Sequence, residues 1–161
     1  MKKLVFLFLA AGLMLMSGCS KDESTEPDNG GNTNNTSGTM TLNSDGASWS
    51  AGLAVVATNS GGIITVTGSD NSAHQCQIAV SNVTGPGTFT LGASMTNPNY
   101  GRWTTGLGQN DTYTTMLGQG EGEVVITSLS AASVAGTFHF SAKNGAGTMV
   151  TISSGEFNAS F

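Results

Sequence analysis

"VAGTFHFSA", Val134 to Ala142, alternates with a period of two. Val134, Phe138, Phe140 and Ala142 fall on one side, and His139 points to the other. Successive side chains leave a strand on opposite faces, so this alternation predicts a half-buried β-strand. One apolar face per strand calls for antiparallel sheets with one wet side, and two such faces must cover each other.

The pattern repeats on both sides of this stretch. Phe157, Ala159 and Phe161 share a face in "EFNASF"; Val150 pairs with Ile152, Ile64 with Val66, and Phe89 with Leu91. The turn "SDG" separates "TMTLN" from "ASWSA", and "SGG" separates "LAVVATN" from "IITVTG", which predicts two hairpins. "HQCQIAVSNV" runs through "TGPG" to "TFTLG", "YTTML" is a weaker strand, and "EGEVVITSLS" leads through "AAS" to the opening stretch. "KNGAG" then passes to "TMVTISS", and "GEFNASF" closes the chain. No stretch has a 3.6-residue period, and the 23 glycines are spread throughout, which disfavours helix. The predicted fold is all-β: a single-domain antiparallel β-sandwich or flattened barrel over 39–161. Its predicted core is Ile64, Val66, Ile78, Phe89, Leu91, Ile126, Phe138, Phe140, Val150, Ile152, Phe157 and Phe161. Cys76 shares a strand face with Ile78 and Val80 and reads as a small buried thiol.

The first 38 residues have a different texture. Met1-Lys2-Lys3 precedes an uncharged apolar run, Leu4 to Met16, of signal-peptide length. At ~1.5 Å per residue that run is too short for a ~30 Å hydrocarbon layer. It ends Met16-Ser17-Gly18-Cys19, which resembles the lipobox of bacterial lipoproteins, with Met16 where Leu is usual. The resemblance implies a signal peptide over 1–18 and a Cys19 that is lipidated and becomes the N-terminus. Ser20 to Gly38 contains no aliphatic or aromatic residue and is expected to be a disordered tether, so 19–38 forms the second segment. The short acidic run after Cys19 resembles the surface-export signal of Bacteroidota-type lipoproteins. The expected location is therefore the outer membrane through a lipid anchor, on the cell surface, with the periplasmic face as the alternative.

Without the first 18 residues, Lys21, Arg102 and Lys143 stand against 10 carboxylates. That balance offers no basic footprint for nucleic acid.

The C-terminal third, "EVVITSLS" followed by "VAGTFHFSAKNGAGTMVTISSGEFNASF", resembles an uncharacterised domain family of Bacteroidota lipoproteins. Its pattern is a Gly-Thr-Phe-x-Phe strand, a turn, a V-x-I strand and a final Gly-x-Phe strand. "MTLNSDGASWSA", with Trp49 after a glycine turn, is similar to that family's opening hairpin. The resemblance spans 39–161 and implies a fold and a location but no chemistry.

Chemistry is sparse. His74 and His139 are the only histidines, no G-x-S-x-G elbow occurs, and "GQGEGE" lacks the lysine of a phosphate loop. No catalytic residue, metal site or cofactor is therefore expected. Asp70, Asp111, Glu121 and Glu123 lie in or near predicted loops and are the only candidates for a calcium site. "TNPNYGRWTTGLGQNDTY", Thr96 to Tyr113, reads as a long connection that gathers polar-tipped aromatics and the only arginine. Asn99, Tyr100, Arg102, Trp103, Asn110 and Tyr113 are its candidate ligand-binding residues, for a glycan or a protein. The competing reading has Trp103 and Tyr113 plug the end of the sandwich. The expected function is a non-enzymatic lipoprotein domain for binding or envelope structure. The alternatives are an accessory glycan-processing hydrolase and a calcium-dependent binding module.

Overall fold

The computed structural model describes residues 38–92, 94 and 96–161. The expected signal peptide, Cys19 and the tether to residue 37 lie outside the described residues. The rest is all-β, as expected, with eleven strands in one antiparallel sheet and a single 3-10 turn at Met116–Gly118. The strands are β1 (Gly38–Ser44), β2 (Ala47–Ser50), β3 (Ala54–Ser60), β4 (Ile63–Ser69), β5 (Gln75–Val80) and β6 (Gly87–Leu91). There follow β7 (Tyr100–Thr104), β8 (Thr112–Thr114), β9 (Gly120–Leu129), β10 (Ser133–Lys143) and β11 (Met149–Ser160).

The main path runs β2-β1-β11-β10-β8-β7-β5-β4-β3. β10 also pairs along its length with β9, which carries β6 on its other edge. A single Lys143–Thr114 pair joins β10 to β8. There the sheet folds over, giving a sandwich-like pair of layers, β6-β9-β10-β11-β1-β2 and β8-β7-β5-β4-β3. Contacts across the layers bear this out: a Cβ on Gly68 of β4 would meet the Met40 sulfur of β1 at 2.8 Å, and one on Gly101 of β7 would meet the Phe140 ring of β10 at 2.7 Å.

Both predicted first hairpins form. Asp45-Gly46 and Gly61-Gly62 hold positive φ at both central positions, the two-residue turn whose twist suits paired strands. The "TGPG" turn, by contrast, carries β6 away from β5 to the other layer, where it pairs β9. "TMVTISS" and "GEFNASF" are not two strands but one, β11. Its register slips at Ser153–Ser154, where Ser154 takes φ 50°. The extra residue shifts the alternation, so that Val150 and Ile152 and then Phe157 and Ala159 all face inward.

The core rests on three glycine–phenylalanine pairs. Gly136 lies opposite Phe157, Phe138 opposite Gly155, and Phe140 opposite Gly122. Each glycine leaves room for the ring across from it, since a Cβ on Gly155 would stand 2.6 Å from the Phe138 ring. Ten of the twelve predicted core residues are buried. The two exceptions have simple causes. Phe89 sits on the edge strand β6 and is half-buried against the core. Phe161 lies past the end of β11, where its amide donates to the Ala132 carbonyl (3.0 Å), and its side chain is only partly covered, at 39% exposure. Cys76 is fully buried in β5, and burial pushes its thiol pKa far up, which leaves it inert as a nucleophile.

Candidate ligand-binding face

The expected long connection is largely a hairpin. β7 and β8 pair, and Asp111 closes the turn between them by accepting the Gly108 amide at Oδ2 (2.7 Å) and the Thr105 amide at its carbonyl (2.9 Å). Strand alternation then divides the six candidates. Trp103 faces inward at 3% exposure, opposite Tyr113, which packs half-buried on the core. Both are therefore sandwich plugs, and Trp103 is removed from any surface site. Asn99 is also buried. Its Oδ1 accepts from the Ser81 amide (2.8 Å) and hydroxyl (2.9 Å), and its Nδ2 donates to the Thr90 carbonyl (3.3 Å). It is a brace between the ends of β5 and β6, with its oxygen accepting twice and one of its two N–H donors engaged. Asn110 is exposed, with its carbonyl held by Asn144 Nδ2 (2.8 Å) in a neighbouring turn.

Tyr100 and Arg102 remain, both on the outer face of the second layer. The Arg102 guanidinium carbon lies 5.4 Å from the centre of the Tyr100 ring, a cation–π contact. Tyr100 Oη donates to Gln77 Oε1 (3.0 Å), and Gln77 Nε2 donates to Thr67 Oγ1 (3.2 Å). The chain of contacts thus runs from β4 through β5 to β7 and orients the guanidinium. The register sets this up: Thr67 opposes Gln77, Gln77 opposes Arg102, Arg102 opposes Thr114, and Thr114 opposes Lys143. Among the described residues no carboxylate lies within ion-pairing distance of Arg102, and no acceptor takes its N–H groups. Sequence reading missed Gln77 and Thr67. The signal was present in "HQCQIAV", where Gln75 and Gln77 alternate with Cys76 and Ile78 and so must face out.

The acidic candidates do not converge. Asp70 follows β4 in the β4–β5 turn, Asp111 closes the β7–β8 turn, and Glu121 and Glu123 stand on β9 rather than in a loop. Among the described residues no three metal-ligating side chains gather. Glu123 and His139 oppose each other on the outer face of the first layer, at the side of a groove of about 490 Å³. The carboxylates there make that groove unwelcoming to anions.

The chain matches the family profile described as Domain of unknown function (DUF6252) over residues 36–159. It belongs to the DUF6252 family. No curated protein and no solved structure matches it. Within this DUF6252 domain the motif residues Gly136, Phe138, Phe140, Gly155 and Phe157 all serve the core. Arg102 also lies within the matched span.

A second polar cluster closes one end of the DUF6252 domain. Asp70 Oδ2 accepts from Trp49 Nε1 (2.8 Å) and faces His74 Nδ1 (2.8 Å); Oδ1 accepts the amides of Ser72 (2.7 Å) and His74 (3.0 Å). Partial burial alone would raise the Asp70 pKa, but the hydrogen bonds from His74, Trp49 and the two amides outweigh it and hold it at about 2. His74 stacks on Trp103 at 5.8 Å, and Trp49 meets Trp103 edge-on at 5.1 Å. The Asp–His pair is two-thirds of a hydrolytic triad, yet no serine, threonine or cysteine side chain among the described residues bonds His74. As built, it is a clasp between β2 and the β4–β5 turn. That turn forces Ala73 to φ 65°. Ala73→Gly should relieve the strain and raise stability by about 0.5–1 kcal/mol, the gain being partly offset by a freer unfolded chain. A urea midpoint at or below wild type would show that the turn is unstrained.

Proposed function

We propose that this DUF6252 protein is a lipid-anchored outer-membrane lipoprotein, displayed on the cell surface, whose β-domain binds a ligand without catalysing its conversion. The observation that carries the binding role is the Arg102 guanidinium, oriented by Tyr100, Gln77 and Thr67 and left with its donors unused among the described residues. A guanidinium offers five donors in a fixed fork, and holding it in place lowers the ordering cost of binding. In favour of binding over hydrolysis is the state of the Asp70–His74 pair, which holds a turn and an indole rather than a nucleophile. Screening the protein on a glycan array beside a panel of hydrolase substrates separates the two roles. Turnover of any substrate that disappears in His74→Ala would favour the hydrolase.

The anchor of this proposal is Cys19, on the strength of the Met16-Ser17-Gly18-Cys19 seam. Each buried acyl CH₂ contributes ~0.8 kcal/mol, so two or three chains hold a protein on a bilayer almost permanently. Cys19→Ser should move the protein from the membrane fraction to the soluble fraction. Retention through a carbonate wash would put the anchor elsewhere.

A further inference from the structure

We propose that the outer face of the second layer is the docking surface for a different protein, one that brings a carboxylate to Arg102 and aliphatic side chains to Val56 and Ile63. This rests on the binding role proposed above and names its partner class. The two outer faces of the sandwich differ in charge. β3, β4, β5, β7 and β8 contain no Asp and no Glu, and Arg102 is their one charged residue. The first layer instead carries Glu121, Glu123 and Glu156 on its outer face. The register puts Val56, Thr67, Gln77 and Arg102 in one cross-strand row, with Tyr100 in the next, and directly opposed residues project to the same side. Val56 and, at the β3–β4 turn, Ile63 are each 50% exposed on that side.

Interfaces between proteins are depleted in Lys, Glu and Asp and enriched in Tyr and Arg, which supply the strongest anchors. Here the Arg102 guanidinium carbon sits 5.4 Å from the Tyr100 ring centre, and Tyr100 Oη is fixed on Gln77 Oε1 (3.0 Å). Exposed Val56 and Ile63 add apolar surface that gains when a partner covers it. A sugar polymer would bond to the hydroxyls and amides but would make little use of two aliphatic side chains. Charge complementarity then selects the partner. A guanidinium drawn into an interface needs an acceptor, best a carboxylate in two-point contact. A second copy docked through the same face would bring another Arg102 and no carboxylate. A second copy docked through Glu121 and Glu123 would bring carboxylates, but would set Val56 and Ile63 on a groove lined by Thr90, Ser141 and Thr151. A different protein, with a carboxylate amid apolar side chains, meets both demands.

The test uses the full-length protein on the cells that make it. A photo-cross-linking phenylalanine derivative is placed at Thr58, beside Val56, and as a control at Thr137 on the other outer face; both positions are exposed. The expected result is one discrete adduct from the Thr58 position, with a protein other than this chain, and none from the Thr137 position. Arg102→Asp should cut that adduct about tenfold or more with an unchanged melting temperature, and Arg102→Gln should cut it by a smaller factor. A lysine in place of the partner protein's matching carboxylate should restore the adduct with Arg102→Asp. An adduct between two copies of this chain would overturn the different partner. No adduct from Thr58, or equal yields from both faces, would overturn the docking surface. An adduct indifferent to Arg102→Asp, or not restored by the lysine, would overturn the carboxylate. The binding role is read separately on the glycan array. A bound glycan that is lost with Arg102→Gln, in the absence of any adduct, would leave that role standing and overturn the protein partner.

Discussion

Phe140→Ala should lower the unfolding free energy by about 3–5 kcal/mol, towards the upper end of that range. The side chain is 1% exposed and stacks on Phe138 with ring centres 6.2 Å apart. Its ring presses on Gly101 of β7, and it lies opposite Gly122 of β9. Two neighbours thus have no side chain with which to fill the space left behind, so the cavity should persist. Against a total stability of ~5–15 kcal/mol, that loss leaves little margin. His139→Ala, one residue away on the outward face, should stay within about 0.5 kcal/mol of wild type. Urea denaturation of the two variants side by side reads the difference directly. Comparable midpoints would mean that the Gly–Phe pairing does not organise the core. The reciprocal change, Gly101→Val, should also destabilise, because its Cβ alone would meet the Phe140 ring at 2.7 Å.

Asp70→Asn should cost about 1.5–3 kcal/mol at neutral pH and, more tellingly, should remove most of the acid sensitivity of the domain. Asparagine can still receive the Ser72 and His74 amides through its one oxygen, so the turn survives. The amide then faces Trp49 Nε1 and His74 Nδ1 as a donor rather than an acceptor. The pH dependence follows from the low pKa. A carboxyl held at about 2 in the folded state, against an ordinary value of 3.8 in the unfolded chain, stabilises the fold fully above that unfolded value. That contribution is lost as pH falls from about 4 through about 2. One pKa unit corresponds to about 1.4 kcal/mol, so the loss is on the order of 1–2 kcal/mol after allowance for solvent screening of a partly exposed group. Stabilities measured at pH 7 and near pH 2.5 should differ between wild type and Asp70→Asn at the first and lie much closer together at the second. A variant that loses as much stability on acidification as the wild type would show that other carboxylates control acid unfolding.

Much of the local structure was legible because it depends on near neighbours. The Asp45-Gly46 and Gly61-Gly62 turns follow from residues that accept positive φ, and the inward set of β10 follows from a period of two. Within β11 the inward residues were legible too, because the runs on either side of Ser154 each keep their own phase. The bulge that joins them into one strand was not legible, since Ser153-Ser154 carries no glycine or proline to announce it.

Pairing over long distances was decided only by the folded chain. "YGRWT" places aromatic rings at Tyr100 and Trp103, an odd number of residues apart, so one must face in and the other out. Nothing in the immediate neighbourhood chooses between them. Packing beside Trp49 and His74 draws Trp103 inward and leaves Tyr100 and Arg102 on the surface. The Asp70–His74 spacing of four would suggest a helix face, but a turn through Ala73 brings the two together. By itself the sequence determined the all-β class, most of the core and the inward faces, because alternation is a local property of the strand. The tertiary structure alone decided that β6 crosses layers, that β10 hands over to β8 at one residue pair, and that Thr67, Gln77, Tyr100 and Arg102 form one row of contacts. These depend on which distant strands lie side by side, and that is set by the complementary shapes of rings and glycines far apart in the chain.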